Sequence, residues 1–207
     1  KCVGALIEGI PAGLVYDETA VMKDLLRRQG GDPLTTARKE ADVPTILSGL
    51  YDNKFTGAPV AVIFENADVK SGAYSSLKDT PRPSHADYAV YKKYDGNMDM
   101  TGGGPFSARF TAALVFAGAI AKSILIKQGV TISAELSAVM GKTSPEDIKR
   151  LIAEAKSQGD SVGGLISCTI DGLPAGVGEP HFGGLENRIS AAVFAVPAVK
   201  GIEFGAG

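Results

Sequence analysis

The sequence predicts one fold made of two related strand-turn-helix halves, and an internal repeat is the first observation behind it. Val3-Gly4-Ala5-Leu6-Ile7 leads into Glu8-Gly9-Ile10-Pro11-Ala12-Gly13-Leu14, and Val162-Gly163-Gly164-Leu165-Ile166 leads into Asp171-Gly172-Leu173-Pro174-Ala175-Gly176-Val177. In each copy a β-prone run meets an acid-Gly-aliphatic-Pro-Ala-Gly turn, where proline fixes φ and glycine takes a positive value. The copies, at 3–14 and 162–177, lie too far apart for a solenoid, so they point to pseudo-symmetry inside one domain spanning 1–207. Composition is the second observation: 44% of the 207 residues are hydrophobic and 21% charged, as in a folded globular chain. The third is 26 glycines, nearly twice the usual share of about 7%, which implies many tight turns.

The elements follow in order. After the first Pro-Ala-Gly turn, Asp17 caps a predicted helix with Val21, Met22, Leu25 and Leu26 on its buried face. Pro59 to Phe64 reads as a short buried strand after the Thr56-Gly57 turn. Residues 66–104 hold few apolar side chains and much Gly, Pro, Asp and Lys, and read as one long loop region carrying the polar chemistry. Thr111 to Ile126 is an apolar helix, interrupted by Lys122 and shorter than the roughly 20 residues of a bilayer span, so burial in a core is expected. Ser144 caps the next helix, with Pro145 at its first position and Glu146 and Asp147 in its first turn; it runs to about Lys156 with a mostly charged face. Glu186 to Val196 repeats, after the second turn, the part of the first helix.

Net charge is -2, from 21 basic and 23 acidic residues, so no global field attracts nucleic acid or an anionic membrane, and an anion site must be a local cluster. Cys2 and Cys168 show neither metal-ligand spacing nor a disulfide framework, which favours a reduced, cytoplasmic setting and no metal. The N-terminal apolar run ends at Glu8 before it could form a signal-peptide core.

Polar clusters carry the candidate chemistry. Arg27-Arg28-Gln29-Gly30-Gly31 and Thr35-Thr36-Ala37-Arg38-Lys39-Glu40 suit a phosphate or carboxylate, because guanidinium forks stand beside a glycine turn; a solvated helix end and polar loop is the plainer reading. In Arg82-Pro83-Ser84-His85-Ala86-Asp87-Tyr88, His85 has an arginine and an aspartate within reach to tune it as a general acid, or is an exposed loop histidine. His181, among Gly178, Pro180 and Gly183, has no such neighbours and reads as structural. Gly102-Gly103-Gly104-Pro105-Phe106-Ser107-Ala108-Arg109 runs into the apolar helix, placing a hydroxyl and a cation near a positive helix end, or forming a glycine linker. It matches neither a Walker A loop nor a dinucleotide fingerprint.

Together with Ile46-Leu47-Ser48-Gly49, Thr56-Gly57-Ala58-Pro59, the Gly102 to Lys122 block and Pro197-Ala198-Val199-Lys200-Gly201-Ile202-Glu203, these segments resemble the chorismate synthase family over nearly the whole chain. The resemblance implies an α+β sandwich of helices enclosed by antiparallel sheets, with pseudo-symmetric halves. It also implies a homotetrameric lyase that eliminates phosphate from 5-enolpyruvylshikimate 3-phosphate in a 1,4 sense to give chorismate. The implied cofactor is reduced FMN, with NADPH as a possible reductant. It gives His85 the role of protonating the flavin, Arg28, Arg38, Arg82 and Arg109 that of binding substrate, and Pro105, Phe106 and Ser107 that of lining the flavin site. A second histidine segment would precede Lys1, and a C-terminal flavin-binding part would follow Gly207, so weak FMN binding is expected of these residues alone. Ser84 stands where the family usually has glycine, Thr101 where arginine is common, and Pro105 and Phe110 replace polar or charged residues. A non-catalytic scaffold and an NADPH-dependent flavin reductase are the alternative functions.

Overall fold

The computed structural model describes residues 2–30, 34–35, 40–66, 80–98 and 106–205. The chain divides into two compact units, residues 1–30 with 38–120, and residues 31–37 with 121–207. The architecture is mixed α and β, with antiparallel strand pairing throughout the described sheets.

In the first unit, β1 (Cys2–Ile7), β2 (Pro44–Ile46) and β5 (Val60–Glu65) form a sheet in the order β1-β5-β2. Val60, Val62 and Phe64 alternate onto the buried face of β5. Val3 lies opposite Phe64, Ala5 opposite Val62 and Ile7 opposite Val60, so the two-residue period of both strands presents one apolar face. Ser48 closes the edge of this sheet: its Oγ donates to Pro59 O at 3.0 Å and accepts from Ala61 N at 3.1 Å. The neighbouring Gly49 has φ +79°, and a Cβ there would lie 2.6 Å from Val60 Cγ2 and 2.9 Å from Pro59 O, so only glycine fits.

Between β2 and β5, β3 (Leu50–Tyr51) and β4 (Lys54–Phe55) form a two-residue hairpin. Asp52 and Asn53 both have positive φ, 46° and 58°, as the mirror-image turns that suit twisted hairpins require. Phe55 packs edge-on against Tyr16, with ring centroids 5.8 Å apart, and Tyr16 and Phe64 both meet Phe116.

Helix α1 (Glu18–Arg28) starts where Asp17 Oδ1 accepts from Ala20 N at 2.9 Å. Val21 and Leu25 are its buried residues; Leu26, expected to be buried with them, is 59% exposed. A stripe of four apolar residues is wider than the surface this helix covers, and the flanking one faces solvent. The expected loop over 66–104 also needs correction, since α2 (Asp87–Lys93) lies within it; the parts at 67–79 and 99–104 are outside the described residues. Val90 anchors α2, and Asp87 opens its first turn.

Helix α3 (Thr111–Ile126) follows a short 3-10 turn (Ala108–Phe110), and the boundary between the units falls inside it. The helical stretch Ala108–Ile126 is long and apolar enough to cross a membrane by length and composition, longer than the sequence pattern suggested because the 3-10 turn extends it. Ala112, Ala113, Phe116, Ala119 and Ile120 are nevertheless buried at helical spacing, as in an ordinary core helix.

In the second unit, β6 (Thr131–Val139) and β7 (Gly164–Asp171) pair antiparallel, joined by α4 (Pro145–Ser157). Ser144 Oγ accepts from Asp147 N at 3.2 Å, the cap expected from Ser144-Pro145. A register shift between Leu136 and Ala138 marks a bulge, where Ser137 Oγ donates to Leu165 O at 3.0 Å. After β7, Gly172 and Gly176 have φ of 76° and 87°, matching Gly9 and Gly13 at 80° and 81° after β1. The repeat is therefore a repeat of backbone conformation as well as of residues. Its helices differ: α5 (Leu185–Phe194) has no buried residue, so the buried face expected for 186–196 does not form against the described residues.

Phe116 has no exposed surface and touches both Tyr16 and Phe64. Urea unfolding of Phe116→Ala will show a stability loss of about 3–5 kcal/mol, whereas a loss below about 1 kcal/mol would mean that this core is not closely packed.

Candidate functional site

Asp87 gathers the first group of candidate residues. The chain turns tightly before α2, with His85 N donating to Arg82 O at 3.3 Å and Ser84 in the left-handed region at φ 58°. This turn brings Arg82 and His85 back over the first residue of α2. Asp87 Oδ2 accepts from Arg82 N at 3.0 Å and from Arg82 Nε at 2.8 Å, and Oδ1 accepts from Arg82 Nη2 at 2.9 Å. The fork-to-fork pairing is bidentate, the strong form of an arginine-carboxylate contact. His85 Nδ1 stands 2.7 Å from the same Oδ1.

Asp87 is 3% exposed, yet its carboxyl is held well below the usual carboxylate range. The side-chain hydrogen bonds from Arg82 are the main cause, helped by the Arg82 backbone N–H and the charges of His85 and Arg82, while burial opposes them. An ionised carboxylate only accepts, so His85 Nδ1 must carry the proton and donate. Arg82 Nη2, 3.2 Å from Nδ1, then faces another donor and is satisfied by Asp87 instead. Fixing the proton on Nδ1 makes Nε2 the nitrogen for acid-base work. The side chains of Arg82 and His85 are 34% and 33% exposed, so both remain reachable.

Asp42 gathers the second group. Its carboxylate is wholly buried, and Oδ2 accepts from Arg28 Nη1 while Oδ1 accepts from Arg109 Nη1. Arg28, in the last turn of α1, also donates from Nε to Thr111 Oγ1 at 2.9 Å and from Nη2 to Ala108 O at 3.4 Å. Arg109, in the turn before α3, donates from Nε to Asn66 Oδ1 at 3.0 Å and from Nη2 to Glu65 O at 3.0 Å. Burial pushes the Arg28 guanidinium below its ordinary pKa, partly countered by the charge of Glu40.

The expected site residues are thus distributed as follows. Arg82 and His85 meet on Asp87, and Arg28 and Arg109 meet on Asp42. Ser107 Oγ accepts from Arg109 N at 3.3 Å and so caps the 3-10 turn, while Phe106 is 47% exposed. Arg38 and Pro105 lie outside the described residues. His181, in a 3-10 turn with φ 63°, sits beside the ring of Phe182. Sequence reasoning missed Asp42 and Asn66. Asp42 follows Glu40 in a polar, non-periodic segment, where an acid is ordinarily solvated; its positive φ of 48° leaves no mark in an Asp-containing sequence. Among the described residues no three His, Cys, Asp or Glu side chains gather as a metal site.

Two predictions follow from the turn at Asp87. Ser84→Gly removes a side chain from a left-handed position and will raise stability by about 0.5–1 kcal/mol in thermal unfolding, and a fall would show that the Ser84 side chain compensates its strain. Asp87→Asn will lower stability by about 2–3 kcal/mol at pH 7. The folded pKa of Asp87 is depressed, so its contribution is full above the ordinary aspartate value near 3.9 and declines as pH falls below it. Urea midpoints will therefore separate wild type and variant less at pH 3 than at pH 5; a gap that does not narrow between them contradicts the pairing.

A family model described as chorismate synthase matches residues 1–207. The chain is 47% identical to a chorismate synthase of Chitinophaga pinensis over 99% of its own length and 60% of that protein's. It is 40% identical to one of Aeropyrum pernix, covering 99% of this chain and 61% of the relative, and 41% identical to one of Pyrococcus abyssi, covering 100% and 64%. It therefore spans about 60% of the length of these curated relatives. A crystal structure of chorismate synthase superposes on the whole chain with a TM-score of 0.74 at 24% identity, covering 68% of that structure, and the α+β fold is the same. The segments that hold Asp87 and Asp42, the repeated Pro-Ala-Gly turns and α3 all lie within the matched residues, and the chain belongs to the chorismate synthase family.

Proposed function

We propose that the protein containing this chain is a chorismate synthase, a carbon-oxygen lyase that removes phosphate and a proton in a 1,4 relation from 5-enolpyruvylshikimate 3-phosphate. The single observation that carries the reading is the Arg82-Asp87-His85 group, found in a member of this family. The substrate bears two carboxylates and a phosphate, and a leaving phosphate needs cations held in place before it departs. Arg82 is such a cation, locked by Asp87 in one orientation and still partly exposed. Arg28 and Arg109, fixed on Asp42, are the further candidates, and Arg38 is carried by resemblance alone.

The chemistry of the residues that the resemblance assigns to a reduced flavin suits that group: His85 offers a ring nitrogen with its tautomer fixed, and Phe106 an exposed aromatic side chain. FMN, when bound, supplies reducing power that is returned within each turnover, so no net redox change results. Asp87 holds the His85 proton on Nδ1, and Nε2 delivers or accepts the working proton. NADPH as the flavin's reductant, a homotetramer and a cytoplasmic location belong to the same reading. Free Cys2 and Cys168 fit a reducing compartment, and a net charge of -2 fits a small-molecule substrate better than nucleic acid.

The test is an anaerobic assay of the complete protein with 5-enolpyruvylshikimate 3-phosphate and reduced FMN, read as chorismate formation. Wild type is expected to turn over, and His85→Ala to fall by about 10²- to 10⁴-fold, the usual contribution of a general acid, with folding kept. No chorismate from wild type would overturn the reaction, and unchanged turnover in the variant would overturn the role of His85.

A further inference from the structure

A single buried carboxylate serving two arginines is a poor device for stability alone. Desolvating three charges is costly, and well-packed apolar side chains often serve a core as well or better. Asp42 also holds a backbone conformation, φ 48°, that a non-glycine residue adopts at an energetic cost, and such positions concentrate at functional sites. What the arrangement does supply is geometry. Arg28 and Arg109 come from segments far apart in the sequence, and as like charges they would move apart without a shared counterion. Asp42 gives each guanidinium one carboxylate oxygen and so sets the distance between them.

Further contacts refine this aim. Nε of Arg28 rests on Thr111 Oγ1 and Nε of Arg109 on Asn66 Oδ1, both uncharged acceptors, and the Nη2 groups rest on the carbonyls of Ala108 and Glu65. Glu40, half-buried, acts on Arg28 through space. Among the described residues, these bonds account for three of the five Arg28 N–H groups, and its side chain is 20% exposed.

We propose that Asp42 is a positioning residue, which holds Arg28 and Arg109 at the spacing that receives an anionic oxygen group of the substrate, and that it acts only through those arginines. The identity of the anion as a phosphate or carboxylate of 5-enolpyruvylshikimate 3-phosphate rests on the chorismate synthase reading; the spacing of the arginines does not.

The test compares the complete wild-type protein with Asp42→Asn, which keeps the size of the side chain and removes its charge. KM for 5-enolpyruvylshikimate 3-phosphate is expected to rise about tenfold or more, as when a charge-assisted contact is lost, with kcat changing less than about threefold because the side chain touches no reacting atom. A merely structural role would lower the melting temperature and leave KM of the folded protein unchanged, and that result overturns the proposal. Inorganic phosphate is the second probe: it should raise the melting temperature of wild type and lose that effect in the variant. If wild type makes no chorismate, the reaction assigned above fails while phosphate still decides the positioning role. Protection lost in Asp42→Asn supports it, and protection retained there, or absent in wild type, overturns it. Should Asp42→Asn fail to fold, Thr111→Val removes the acceptor of Arg28 Nε, and with it the Thr111 Oγ1 bond to Ala108 O, while leaving Asp42 in place; an unchanged KM and unchanged phosphate protection there would mean that the aim of Arg28 does not set anion binding, and they overturn the proposal.

Discussion

The carboxylate of Asp42, buried between Arg28 and Arg109, is the contact that ties together the polar segments of the first unit. Arg28 ends α1, Arg109 lies in the 3-10 turn before α3, and the acceptors around them belong to the end of β5 and the residue after it, to that turn and to the first residue of α3. Four segments, two of which also share the Phe64–Phe116 contact, are thereby fixed at one place. Hydrophobic burial could not do this with such definition, because it is roughly proportional to area and has no direction. Hydrogen bonds to a charged group do have direction, and they are about twice as strong as neutral ones.

Asp87 repeats the principle on a smaller scale. There too a buried carboxylate is kept ionised by arginine, and there too its second oxygen is used to orient another group, the imidazole of His85. The two carboxylates divide the labour between charge and protons: Asp42 spaces two cations, whereas Asp87 fixes one cation and one tautomer. Aromatic packing of Phe116 with Tyr16 and Phe64 stiffens the core of the same unit.

Much of the fold was legible because it is written in local chemistry. The Pro-Ala-Gly turns specify positive φ at Gly9, Gly13, Gly172 and Gly176, and Ser144-Pro145 specifies a helix start. Alternation at Val60, Val62 and Phe64 specifies a strand with one buried face. The misses are tertiary. Among the described residues Leu26 has the right spacing to be buried but no neighbour that buries it, and α2 is a short helix inside a polar stretch with Val90 as its one buried apolar residue. The same holds for α5, whose apolar residues repeat those of a buried helix without cover among the described residues. At the site, His85 and Arg82 were visible from their spacing to Asp87, but that Asp42 joins Arg28 to Arg109 depends on contacts between segments distant in the chain.

The central claim is that Asp42 holds two arginines as one coupled unit, and a double-mutant cycle in stability measures this most directly. Asp42→Asn and Arg109→Gln, made singly and together and compared by urea unfolding, are expected to show a coupling above about 1 kcal/mol, the range for charged groups in direct contact. Losses that add to within about 0.5 kcal/mol would contradict it, because independent side chains are additive at that level.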